Sequence, residues 1–298
     1  MLDVLIIGSG PAGLSAAVYA KRANLSVSVI EKVYSGTGQV AESNQVDNYL
    51  GLAGMNGYDL GEKFRQHAVS LGVEFKDGEA VQFTSENGNW KVALKNGDVL
   101  ESRTVIYAAG AVHRHAGVEG EETFAGKGVS YCATCDGAFF KGKKTVVVGG
   151  GDTALDDALY LSDLCETVYL VHRRKEFRGS AHTVEKLRDK SNVEFVLEAK
   201  PHKINGETKV TELVLEDGRS LSVDGIFIAV GMIPMTDPVS GVVELDPGGY
   251  IIADETGRTT APGFFAAGDV RTKQLRQIVT AVSDGANAIT SAEQYIRL

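Results

Sequence analysis

Apolar positions in this chain cluster into short runs that end in glycine. Asp-Val-Leu-Ile-Ile at 3–7 stops at Gly8-Ser9-Gly10-Pro11-Ala12-Gly13, and Val27–Ile30 ends at Glu31. Between them, Ala12, Ala16, Ala17 and Ala20 recur at helical spacing and predict a helix packed closely on a sheet. The same order of strand, glycine turn, helix and strand returns later, with Lys143–Val148, Gly149-Gly150-Gly151-Asp152-Thr153-Ala154 and Val168–Val171. A shift of 141 positions lays Gly8 on Gly149, Gly10 on Gly151, Gly13 on Ala154 and Glu31 on His172. Between the repeats, Gly61–Leu71 reads as a helix, and Glu74–Phe83, Trp90–Leu94 and Val99–Val105 as strands with an Asn96-Gly97 hairpin turn. Beyond the second repeat, Val193–Ala199 and Glu212–Glu216 read as edge strands and Asp224–Val230 as a further strand. Thr260–Asp269 is a strand ending in Gly268-Asp269, and Ile278–Ile296 is a terminal helix. The pattern predicts an α/β fold with two Rossmann-like, three-layer dinucleotide-binding domains.

The first glycine turn stands in the context a dinucleotide requires. Gly8 makes the tight turn, Gly10 lets backbone approach pyrophosphate, and Gly13 permits close helix–strand packing. Glu31 lies where a carboxylate accepts two ribose hydroxyls. The second turn differs at the same place. It continues His172-Arg173-Arg174-Lys175-Glu176-Phe177-Arg178, with no carboxylate at the strand end and three arginines beside it. Arginine offers a planar, bidentate partner to a ribose 2′-phosphate, so the second unit is expected to bind NADPH. Residues 34–61 are rich in glycine and read as loops around a ligand, with Gln39 and Asn48 able to meet a heteroaromatic edge. Asp269 is placed to reach a ribityl hydroxyl of a flavin. The helix after Arg276-Gln277-Ile278 would turn its positive end to the flavin pyrimidine.

Between the repeats lies Tyr131-Cys132-Ala133-Thr134-Cys135-Asp136. Such a thiol pair can close a disulfide, ligate a metal or fill a core. The only other cysteine is Cys165, and no second Cys-x-x-C or His-x-x-x-His completes a zinc set. Asp136 places a proton donor beside a thiolate. With the flanking nucleotide motifs, redox chemistry is the favoured reading. Cys165 reads as a packing residue, and His113 and His115 as surface linker residues.

Composition narrows the partners. With 43% hydrophobic and 23% charged residues over 298 positions, the chain is ordinary globular material. A formal charge of -9 argues against sequence-independent nucleic-acid binding. The apolar runs are far shorter than a membrane span. The chain opens directly on a strand, with no expected signal peptide, and three cysteines make no secreted framework, so a cytoplasmic location is expected.

These motifs together resemble the bacterial-type, low-molecular-weight thioredoxin reductases of the flavin disulfide oxidoreductase superfamily, nearly end to end. The resemblance implies a discontinuous FAD-binding domain at 1–112 and 242–298, with the NADPH-binding domain inserted at 113–241 and carrying the thiols. It implies Gly8, Gly10, Pro11, Ala12, Gly13, Glu31, Lys32, Gly38, Gln39, Asn48, Gly268, Asp269, Arg276, Gln277 and Ile278 at FAD. It implies Gly149, Gly151, Asp152, Thr153, His172, Arg173, Arg174 and Arg178 at NADPH. Cys132 and Cys135 would form the redox disulfide, Cys135 nearer the flavin and Cys132 attacking thioredoxin, a separate chain, with Asp136 handling the proton. The inserted domain would rotate between half-reactions about linkers near 112–118 and 238–245, and the chain would act as a homodimer. Three stretches depart from the family pattern: Gly36-Thr37-Gly38-Gln39 for Pro-Gly-Gly-Gln, Val118-Glu119-Gly120-Glu121 for Val-Pro-Gly-Glu, and Thr280-Ala281-Val282-Ser283-Asp284-Gly285 for Thr-Ala-Ala-Gly-Asp-Gly. A competing enzyme reading takes electrons from ferredoxin or NADH, or hands them to another small redox protein. Relatives of that kind tend to lose the second glycine motif and its arginines. A non-enzymatic nucleotide-sensing module would have no need of Cys-x-x-C-Asp.

Overall fold

The computed structural model describes residues 1–32, 38–43 and 45–297, so Gly36 and Thr37 of the altered loop lie outside the described residues. The chain forms two compact units, one of Met1–Val112 with Ile233–Leu298 and one of His113–Met232.

The first unit opens with β1 (Leu2–Ile7), α1 (Pro11–Arg22), β2 (Val27–Glu31), α2 (Gly57–Ser70) and β3 (Glu74–Asp77). It continues through β4 (Ala80–Glu86), β5 (Asn89–Leu94) and β6 (Val99–Tyr107). Val4, Leu5 and Ile6 are fully buried, as a central parallel strand covered on both faces requires. β1 pairs in parallel with β2 and β6, β2 with β3, and β4–β5–β6 form an antiparallel meander. The strand expected over 74–83 is therefore two strands. Gly78 breaks it, donating its N–H to Glu31 O at 2.8 Å, and the two halves take different partners. α2 begins four residues earlier than expected because Asn56 caps it, its Oδ1 accepting the Tyr58 N–H at 2.9 Å.

β7 (Ala111–His113) leads into the second unit, which contains β8 (Val129–Ser130), α3 (Ala133–Asp136), β9 (Lys144–Gly149), α4 (Asp152–Ser162) and β10 (Thr167–His172). There follow α5 (Ala181–Arg188), β11 (Val193–Leu197), β12 (Pro201–Gly206), β13 (Val210–Leu215), β14 (Ser220–Ser222) and β15 (Gly225–Ala229). The parallel sheet runs β11-β10-β9-β15-β8. β13, expected on its edge, belongs instead to a separate antiparallel sheet with β12 and β14.

The chain returns through β16 (Met232–Pro234), which pairs with β7. Residues 233–241, expected in the inserted segment, group with the first unit: Tyr107 Oη donates to Met235 O at 2.7 Å and Val239 is fully buried in that unit's core. β17 (Phe264–Ala266) is shorter than expected and adds in parallel to β6. Its Phe264 packs edge-on against Trp90 and Phe83. α6 (Ile278–Arg297) ends the chain, its buried face of Ala281, Gly285, Ala288 and Ala292 packing on α1. Among the described residues no helix is long and apolar enough to cross a membrane, and no group of three or more His, Cys, Asp or Glu could hold a metal ion.

Candidate functional site

In the second unit the thiol pair is closed. Cys132 and Cys135 form a disulfide with Cα atoms 5.3 Å apart. The local fold brings this about. β8 ends at Ser130, Cys132 caps α3 in an extended conformation, and a single helical turn carries Cys135 back over it, seated on the fully buried Ala133. The same turn brings Asp136 to Ser130, whose Oγ donates to Asp136 Oδ2 at 2.6 Å and accepts the Cys132 N–H at 3.1 Å. Burial pushes the Asp136 carboxyl above its ordinary range, against the opposing pull of the Ser130 hydrogen bond. The acid therefore keeps its proton to a higher pH than an exposed aspartate. Sequence reasoning missed Ser130, six residues from Asp136, because only the β8–α3 turn joins them. Cys165 is free and buried in the core between α4 and the sheet, and burial pushes its thiol up.

The second glycine turn lies between β9 and α4, with Gly149 ending the strand and Gly151 capping the helix. A Cβ at Gly150 would sit 2.2 Å from the His172 ring. His172 thus packs inward beneath the turn, stacked on Phe177 and with Nε2 3.2 Å from Glu176 O. Burial, and behind it the charges of Arg173, Arg174 and Arg178, hold its imidazole below the ordinary range. Asp152 Oδ1 accepts the Ser180 N–H at 2.7 Å and Gly150 O accepts the Arg178 N–H at 2.7 Å. These two bonds fold the arginine loop back over the helix N-terminus, where Thr153 is exposed. The Arg178 guanidinium comes within 4.0 Å of where a Gly151 Cβ would stand. Arg173, Arg174 and Arg178 are exposed, and among the described residues none of the three is in an ion pair.

In the first unit, Gly8 takes a φ of +107° and a Cβ on Gly13 would lie 1.9 Å from Gly8 O, so strand and helix meet through glycine alone. Gly10 caps α1, Pro11 fills its first position and Ala12 is buried. Glu31, 3% exposed, is gripped by Arg65 through two charged hydrogen bonds of 2.6 and 2.7 Å. The Arg65 guanidinium lies 4.0 Å above the Phe75 ring. Lys32 instead pairs with Glu79 on the surface. Gly38 opens a 3-10 turn through Glu42, from which Gln39 Nε2 donates to Ala111 O. Asn48 Nδ2 donates to Gln277 Oε1 at 2.9 Å, joining two predicted site residues 229 positions apart.

Around Gly268-Asp269 the wiring is denser than the sequence suggested. Asp284, from the altered terminal stretch, accepts the Gly268 N–H at 2.9 Å, two bonds from Arg271 and one from Lys273 at 2.8 Å. Burial alone would raise its carboxyl, but these two cations hold it below the ordinary range. Among the described residues, Asp269 Oδ1 and Arg276 Nε are buried with no hydrogen-bond partner, and burial pushes the Asp269 carboxyl up. The Arg276 guanidinium is fixed 4.1 Å over the Tyr250 ring. Ile278 is the first residue of α6. Arg65, Arg271, Lys273 and Asp284 went unread because each works through a partner distant in sequence.

The pyridine nucleotide-disulphide oxidoreductase family matches residues 2–285. A thioredoxin reductase of Bacillus subtilis (strain 168) is 40% identical over 300 residues, 99% of this chain and 94% of that protein. The crystal structure of thioredoxin reductase from Streptococcus pyogenes MGAS5005 superposes with a TM-score of 0.94 at 39% identity, over 100% of this chain and 98% of that one. A thioredoxin reductase from Giardia duodenalis gives a TM-score of 0.94 at 34% identity, over 100% and 99%.

Proposed function

We infer the function of this chain from one premise: it belongs to the pyridine nucleotide-disulphide oxidoreductase family. It is a thioredoxin reductase, an FAD enzyme that reduces the disulfide of thioredoxin with electrons from NADPH. The observation that carries this reading is the Cys132–Cys135 disulfide beside a carboxyl that burial pushes above its ordinary range.

The first unit is assigned to FAD and the second to NADPH. Asp269 Oδ1 and Arg276 Nε are a buried acceptor and a buried donor without partners, and a polyhydroxyl chain leading to a heteroaromatic ring supplies both. Gly8, Gly10 and the N-terminus of α1 suit a pyrophosphate, with Glu31 beyond them for ribose hydroxyls. Gln39, Asn48, Gln277 and Ile278 would line the flavin end. In the second unit, Gly149, Gly151 and the start of α4 suit the NADPH pyrophosphate, and Arg173, Arg174 and Arg178 its 2′-phosphate. His172 serves as the floor beneath Gly150, and Asp152 holds the arginine loop in place.

The FAD that these residues would hold would supply two-electron chemistry, linking hydride donation by NADPH to reduction of the Cys132–Cys135 disulfide. The Cys132–Cys135 bond opens, leaving Cys135 toward the cofactor and Cys132 as the attacking thiolate. Cys132 displaces one sulfur of the thioredoxin disulfide, and Asp136 supplies the proton that this leaving thiolate takes. Cys135 then attacks Cys132, restores the internal disulfide and frees the second thioredoxin thiol. A homodimer and a cytoplasmic location complete the reading, the first supported by the family resemblance and the second by a dithiol cycle suited to a reducing compartment. The test is an anaerobic titration with NADPH and, separately, NADH, followed by turnover with thioredoxin. Bleaching of the flavin by NADPH in preference to NADH, with thioredoxin reduced, is expected. Equal bleaching by both, or none, overturns the assignment.

A further inference from the structure

Two residues read from sequence as surface linker lie in a cluster with the residue that precedes the attacking cysteine. Tyr131 stacks on His113 with ring centroids 5.0 Å apart and meets the edge of His115 at 5.5 Å. Its hydroxyl donates to Glu121 Oε1 at 2.9 Å, which leaves the oxygen to accept from His115 Nδ1 at 3.1 Å. His115 Nδ1 also lies 3.3 Å from Glu121 Oε1. Glu121 is 2% exposed, and its carboxylate accepts the backbone N–H groups of Ala116, Gly117 and Val118 at 3.2, 2.9 and 3.2 Å. One buried carboxylate therefore closes the turn at 116–118 and grips the Tyr131 hydroxyl. The family's proline would stand at Glu119, the residue just after this turn.

β8 is two residues long at the edge of its sheet, α3 is a single turn, and Tyr131 is the joint between them. Resting on the dithiol reading above, we propose that Glu121, His115 and Tyr131 are positioning residues for Cys132, tethering the arm so that its sulfur stays in register with Cys135 and with an incoming protein disulfide. A tether of this kind raises the effective concentration of one thiol toward the other. It acts on the equilibrium in which two glutathiones open Cys132–Cys135 to a dithiol and leave as glutathione disulfide.

The test uses the FAD-loaded enzyme with Tyr131→Phe, which keeps the ring stack and loses only the hydroxyl, and Glu121→Gln. Equilibration with glutathione buffers, followed by alkylation and mass analysis, reads the internal disulfide directly. In both variants the equilibrium is expected to move at least threefold toward the dithiol, and kcat with thioredoxin to fall about fivefold with KM nearly unchanged. Flavin reduction by NADPH should stay within about twofold of wild type, since none of the three residues is assigned to either cofactor. An unchanged glutathione equilibrium and unchanged thioredoxin turnover overturn the proposal, even if thermal stability falls, because a merely structural role predicts that result. Failure of the wild-type enzyme itself to reduce thioredoxin counts against the function, and the glutathione comparison then still decides the tether.

Discussion

Replacing Arg173 by Ala removes one of three exposed guanidinium groups gathered at the second glycine turn. If those groups hold a ribose 2′-phosphate, each contributes a charge-assisted hydrogen bond, worth about 1.5–3 kcal/mol. Because all three are exposed, solvent screening favours the lower end, about 1.5 kcal/mol, or roughly tenfold in affinity. The KM for NADPH should therefore rise about tenfold in Arg173→Ala. Arg173→Ala with Arg174→Ala should raise it by less than about a hundredfold, since two groups on one phosphate are not independent. NADH, which lacks the phosphate, should lose less than about twofold. Flavin bleaching under anaerobic conditions gives the rates directly, without thioredoxin. Raising the ionic strength should erode the NADPH preference of the wild type in the same direction, because exposed charges are screened within about 10 Å at 0.1 M salt. Equal losses for NADPH and NADH, or a preference indifferent to both substitutions, would refute the reasoning.

Cys135→Ser should leave flavin reduction by NADPH intact and abolish thioredoxin turnover; preserved turnover would remove the disulfide from the pathway. Ser130→Ala deletes the hydrogen bond that holds the Asp136 carboxyl down, so that carboxyl should rise further. Its protonated form is the proton donor, so turnover falls as pH rises through its pKa, and the variant should carry that alkaline limb to higher pH. A pH–rate profile checks the direction. Asp269→Asn should act in opposite senses on two measurements. Burial raises the Asp269 carboxyl in the folded protein, so this group's contribution to the stability of the FAD-free chain is fullest below the ordinary aspartate range and is lost as pH rises through the raised value. The variant escapes that loss, so FAD-free protein should melt higher at neutral pH while binding FAD about tenfold more weakly, read by flavin fluorescence. Arg65→Met leaves the buried Glu31 carboxylate unpaired and should cost about 3–5 kcal/mol in urea unfolding, most of it recovered when Glu31→Gln is added.

The two nucleotide folds were legible because their signals are local. A glycine that must stand beside another backbone, or a strand buried on both faces, declares itself within ten residues. The disulfide was legible for the same reason, since Cys132 and Cys135 need only one helical turn between them. What escaped was every side chain that acts across the fold. Asp284 supports Gly268 from the second turn of α6, Arg65 reaches Glu31 from α2, and Glu121 takes hold of Tyr131. Boundaries slipped where a polar cap or a single glycine outweighed apolar periodicity, as at Asn56 and Gly78. His172 was read by its register with Glu31, although a buried ring beneath a glycine turn leaves no sign in a register.

That register is nonetheless where the two repeats divide their labour. Both strands end one residue short of open solvent, and both ends are buried, Glu31 at 3% and His172 at 7% exposure. In the first fold the buried residue is the charged one, so it needs a counterion, and Arg65 supplies it from the neighbouring helix. A carboxylate so fixed has lone pairs left for hydroxyl donors and repels a phosphate. In the second fold the buried residue is an imidazole whose surroundings disfavour its charged form, and the charge lies outward on the exposed Arg173, Arg174 and Arg178. Guanidinium groups at a helix N-terminus attract a phosphate and gain less from an uncharged hydroxyl pair. One backbone turn would thus serve two ligands because the residue at a single buried position, Glu31 or His172, decides which sign of charge faces out beside it.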